Sequence, residues 1–94
     1  MTGKHGVSVI AGYGSRGSIW INKHVPETYR GIDMRARLKC HERVERELRL
    51  KYGLSYRQAH KAALKPEHEG LTKKQIAIYE GKLGSIARHH PRRR

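Results

Sequence analysis

Cysteine is almost absent from this chain: the single Cys40 excludes an internal disulfide and any zinc site built from several thiolates. Long apolar runs are missing as well. No stretch approaches the roughly 18 residues of a transmembrane helix, and the first residues carry no apolar core followed by a small-residue cleavage site, so the expectation is a cytoplasmic protein without a membrane span. Aromatic residues make up only 6%, and Tyr13, Trp20 and Tyr29 are too few and too spread to form the base-stacking platform of a single-strand binder. Acidic residues are scarce: 8 Asp and Glu stand against 21 Lys and Arg, and none precedes Glu27 or follows Glu80. The resulting net charge of +13 leaves both ends purely basic. It favours polyanionic partners, chiefly nucleic acid, DNA or RNA alike, through long-range attraction and counterion release.

At 94 residues there is room for one domain, with a core small enough that a bound metal or partner matters to its stability. The expected division is a loose N-terminus over residues 1–6, a folded unit over 7–87 and a basic tail over 88–94. Two β-strands over 7–12 and 18–24 flank a glycine-rich reversal at Gly14 and Gly17, with Trp20 or its neighbours Ile19 and Ile21 facing the helices. Gly12, Gly14 and Gly17 do not make a phosphate loop, because no Gly-Lys-Ser/Thr follows and a strand stands where a helix is required.

Pro26 closes the second strand, and residues 27–32 read as a connection. Asp33 then caps a long helix that ends at Gly53. A second helix opens with the capping box Ser55…Gln58 and stops at Pro66, and a third opens with Thr72…Gln75 and carries Ile76, Tyr79, Leu83 and Ile86 on one side. Strands first and helices after give an α+β fold, a β-hairpin packed on three α-helices.

The first helix carries charge in the wrong place. Met34, Leu38, Leu48 and Tyr52, with Val44 on the flank, define its apolar stripe, and His41 and Glu45 complete it at about 100° per residue. Arg35, Lys39, Arg43 and Arg46 fall roughly opposite, with Arg49 on the edge. Residues four apart sit one above the other, so His41 and Glu45 can reach one ion from the same face. His60 lies on the apolar side of the second helix, across a short Gly53-Leu54 turn, and makes a third ligand: two histidines and a glutamate, the composition of an open zinc site. Glu42, near the edge of the stripe, is placed as a general base for a metal-bound water. Glu67 and His68, just past the second helix, stand as a further ligand or supporting partner. The same residues also allow a metal-free reading, a buried His-Glu hydrogen bond completed by His60.

His41-Glu42-x-x-Glu45 resembles the His-Glu-x-x-His helix of zincin metallopeptidases, with Glu45 where those enzymes have their second histidine. Over residues 19–68 the chain is also similar to a group of small bacterial and prophage-associated proteins with a His-Glu-x-Val-Glu helix followed by Ala-His-x-Ala, here Ala59-His60-x-Ala62. The zincin resemblance implies His41 and Glu45 as zinc ligands and Glu42 as the base.

Two functions follow as expectations. The first is nucleic-acid binding without strong sequence preference, through Arg35, Lys39, Arg43, Arg46, Arg49, Lys73, Lys74, Arg88, Arg92, Arg93 and Arg94. The alternative is a minimal zincin-like metal-binding protein or hydrolase using His41, Glu45, His60 and Glu42. Oligomeric state is open on the sequence.

Overall fold

In the computed structural model, which describes residues 10–14 and 16–90, the fold is α+β. Strand β1 (Ala11–Tyr13) pairs antiparallel with β2 (Ile19–Ile21), Gly12 facing Trp20. The first strand lies later and is shorter than 7–12, and 7–9 fall outside the described residues. The second strand stops at Ile21 rather than running to residue 24, because the chain turns at Asn22: its backbone N–H donates to Ile10 and its carbonyl accepts from Val25. Gly12 is fixed by space. A Cβ there would lie 2.6 Å from the Trp20 indole nitrogen.

Residues 27–32 are not a bare connection. Strands β3 (Thr28–Tyr29) and β4 (Ile32–Asp33) form a second small hairpin, turned by Arg30 and Gly31. Both turn residues have positive φ, 52° and 80°, the signature of a tight hairpin turn that matches strand twist.

Helix α1 (Met34–Tyr52) follows at once. Asp33 holds the cap position, yet its side chain does not cap, because Arg37 Nε takes the carboxylate at 2.7 Å. Gly53 ends the helix in the left-handed region at φ 68°, its N–H bonding back to Arg49. Both capping boxes close, Ser55 with Gln58 ahead of α2 (Tyr56–His68) and Thr72 with Gln75 ahead of α3 (Lys73–His89). Pro66 does not stop α2, which runs on to His68. The proline sits in the last turn, where it removes one hydrogen bond, and Arg37 holds the carbonyls of Glu67 and Glu69 at 2.8 and 2.7 Å. Helix α3 likewise runs through Arg88 into the expected tail. Its end is tied down where Asn22 Nδ2 donates to the His90 carbonyl at 2.7 Å and the His24 and His90 rings stack.

The core joins Val25, Ile32, Met34, Leu38, Tyr79, Leu83 and Ile86, with Ile21 packed against it from the first hairpin. Each such side chain contributes about 1.5–3 kcal/mol by leaving water. Tyr52, expected on the apolar stripe, is the last residue of α1 and is 69% exposed. Among the described residues no helix is long and apolar enough to cross a membrane.

Candidate metal centre

Helices α1 and α2 pack side by side across the Gly53–Ser55 turn, and that pairing brings His60 to His41 and Glu45. His41 Nε2 lies 3.1 Å from Glu45 Oε1 and 3.1 Å from His60 Nδ1, and His60 Nδ1 lies 3.7 Å from Glu45 Oε1. The three atoms sit within ligand reach of one ion. Bonds of about 2.0–2.1 Å at tetrahedral angles put donor atoms roughly 3.3–3.4 Å apart, the mean spacing found here.

Hydrogen bonding accounts for this geometry poorly. Nε2 of His41 has one in-plane direction and faces two groups at equal distance, so a single proton cannot serve both well. Glu45 Oε2 is buried with no hydrogen-bond partner, although Glu45 as a whole is 2% exposed. An orphaned, buried carboxylate oxygen beside two imidazole nitrogens suits a cation.

Behind His41 stands a supporting chain. Glu67 Oε1 lies 2.5 Å from His41 Nδ1, too far off line for a hydrogen bond but in close charge contact. Glu67 Oε2 accepts from the Tyr79 hydroxyl at 2.5 Å. A carboxylate on the back nitrogen of a ligand histidine selects the tautomer that frees the other nitrogen. Glu67 lies inside the last turn of α2, not beyond it, and shares one stripe with Ala59 and Ala63, all three buried. That four-residue spacing carried its signal in the sequence. The Tyr79 hydroxyl carried none, since its partner depends on where α3 crosses. His68 points elsewhere and bonds to Glu80 at 2.7 Å. Glu67, His68 and Glu80 also fall within ligand reach of one another, but Tyr79 and His41 already occupy both oxygens of Glu67.

Glu42 departs from its expected place at the rim: it is 6% exposed. It lines a cavity of about 180 Å³ together with Ile10 and Ala11 of the first hairpin and with His41, His60 and Glu67. Burial pushes its carboxyl up to about 7, Glu45 and Glu67 adding and His41 opposing. For His41, burial alone favours the neutral ring, but Glu45 and Glu67 outweigh it and pull the imidazole up to about 10 in the absence of a cation. Three buried carboxylates thus surround one imidazole, an excess of negative charge that a divalent ion would neutralise.

The expected nucleic-acid contacts divide. Lys39, Arg43, Lys73, Lys74 and Arg88 are exposed. Arg35 is not on a free face: it donates to the carbonyls of Asn22 and Val25, tying α1 to the loop after β2. Arg46 donates to Gly14, and Arg49, though exposed, donates to Tyr13, because the first hairpin lies along that side of α1. Arg92, Arg93 and Arg94 fall outside the described residues. No family model, curated protein or solved structure matches the chain, so its functional reading rests on the site itself.

Proposed function

We propose that this protein is a zinc-dependent hydrolase whose metal is held by His41, Glu45 and His60. The observation that carries the proposal is the convergence of three ligand atoms at 3.1, 3.1 and 3.7 Å, two of them buried on α1 and the third on α2. Three protein ligands leave a fourth position, and the adjoining cavity gives water and a small substrate group access to it. Bound there, zinc would polarise the substrate and acidify water. Glu42, on the cavity wall, would serve as the general base toward water in that cavity. Glu67 and Tyr79 hold His41 in its metal-facing orientation.

Metal analysis of protein purified without an affinity tag tests the proposal. One zinc per chain is expected, lost in His41→Ala and retained in Glu42→Gln, with hydrolysis falling by a factor of about 100 to 10,000 in the latter. A wild-type protein that binds no divalent metal at micromolar concentration refutes it.

A second reading, nucleic-acid binding without strong sequence preference, is favoured by the net charge of +13 and by exposed Lys39, Arg43, Lys73, Lys74 and Arg88. Its signature is a linear fall of log K with log salt, at a slope of about 0.9 per neutralised phosphate on duplex DNA. Titrations at low salt that detect no complex remove it.

A further inference from the structure

We infer that the substrate of this site is a phosphate diester, gripped at the site's mouth by Arg49 with the tyrosines Tyr13 and Tyr56; the inference rests on the hydrolase reading above. Of the three ligand side chains, His60 is 32% exposed against 4% for His41 and 2% for Glu45, so the site opens on the His60 side. That side is built from aromatic rings and a guanidinium. Tyr56 stacks on the His60 ring at 5.5 Å and 26°, and Arg49 lies over the Tyr56 ring at 5.8 Å. Arg49 also donates one N–H to the Tyr13 hydroxyl at 3.2 Å, which steadies the fork while most of its five donors stay available from an exposed position.

Beside the mouth is a second concavity of about 300 Å³, between the first hairpin's turn and the last turns of α1, lined by Tyr13, Gly14, Arg46, Arg49, Leu50 and Leu54. Arg46 anchors its floor through the Gly14 carbonyl at 3.2 Å. Glu42, Arg46 and Arg49 stand at i, i+4 and i+7 on α1, so the proposed base and the cationic clamp share one stripe of one helix. A planar guanidinium presents paired donors matched to two oxygens of a phosphate. The exposed Leu50 offers an apolar edge to the organic part of an ester.

A carboxylate would also fit the fork. The net charge of +13 decides for phosphodiesters, because a chain with so large a basic excess gathers polyphosphate backbones to its surface. In the reaction the water oxygen bonds to phosphorus as the bond from phosphorus to the leaving oxygen breaks. Glu42 takes the water's proton and returns it to that oxygen, and nothing is oxidised or reduced.

The test uses the full chain loaded with zinc and three probes: bis(para-nitrophenyl) phosphate, a short single-stranded oligonucleotide and the neutral ester para-nitrophenyl acetate. Hydrolysis of either diester is expected, and the two arms separate small diesters from nucleic acid. Arg49→Met should raise KM for the diester by about tenfold or more and lower the diester rate relative to the acetate rate, with zinc content unchanged. If zinc is bound but neither diester is hydrolysed, or Arg49→Met leaves the diester KM unchanged, the inference is overturned and the metal reading survives. If no zinc is bound, the hydrolase reading falls and takes the inference with it.

Discussion

Glu45→Gln should leave the metal-free protein almost as stable as the wild type and yet abolish its response to zinc. In the metal-free protein Glu45 Oε1 lies 3.1 Å from His41 Nε2, while Oε2 is buried with no partner. Neutralising Glu45 weakens a charge-assisted hydrogen bond of about 1.5–3 kcal/mol to an ordinary one of about 1. The unpartnered Oε2 becomes an equally unpartnered amide end, but the change removes a buried charge and with it a like charge from beside Glu42 and Glu67. These effects oppose each other and are of similar size, and His41 keeps Glu67 as a counter-charge, so the net change is about 1 kcal/mol or less. Zinc acts only on the folded state. At free zinc about 100-fold above Kd it stabilises the wild type by about 2.7 kcal/mol, roughly 10–20 °C in Tm for a domain of this size. The variant, with a neutral carboxamide in place of the anionic ligand, should gain no more than a few degrees. The assay is thermal unfolding by circular dichroism after dialysis against a chelator, with and without zinc. A purely structural His-Glu network gives a different pattern: no response to zinc in either protein. That result would refute the reasoning.

Three further outcomes are expected. Burial raises the Glu42 carboxyl from the usual 4.5 to about 7, so the unfolded chain ionises first and the metal-free fold loses stability as pH rises from about 4.5 to about 7, the loss being complete above that. Glu42→Gln should therefore stabilise the metal-free protein by about 1–3 kcal/mol at pH 8 and not at pH 4, and equal denaturation midpoints at pH 8 would contradict this. Tyr79→Phe strips the 2.5 Å donor from Glu67 and should cost about 1–3 kcal/mol, with zinc affinity reduced about tenfold through His41; intact zinc affinity in a calorimetric titration would show that Glu67 does not orient the ligand. Gly12→Ala would put a Cβ 2.6 Å from the Trp20 indole nitrogen, so the ring must move at a cost of about 1–3 kcal/mol; unchanged tryptophan fluorescence would show the contact to be slack.

The parts of this fold that could be read from the sequence are those set by one helix and its caps. The i, i+4 placement of His41 and Glu45 needs only α1, and His60 follows once a turn as short as Gly53–Ser55 forces α1 and α2 together. What could not be read depends on a third neighbour. Glu42 looks like a rim residue on a helix packed along one side, yet it is buried where the first hairpin also packs on α1 and Ile10 and Ala11 share its cavity. The same hairpin turns Arg46 and Arg49 from solvated charges into side chains held by Gly14 and Tyr13. Periodicity reports how many sides of a helix face a neighbour only when the residues on those sides are apolar, and here they are a carboxylate and two arginines, of which Arg49 stays exposed. That disagreement is itself informative about function. A core this small gains nothing in stability from three carboxylates around one imidazole, since a hydrophobic replacement of a buried ion cluster is often neutral or better. Local rules broken at one place, while capping, turns and the rest of the core obey them, mark the place where the chain has been shaped for something other than folding. Around His41 the groups that break them, His41, Glu45 and His60, are the ones that could hold a metal ion.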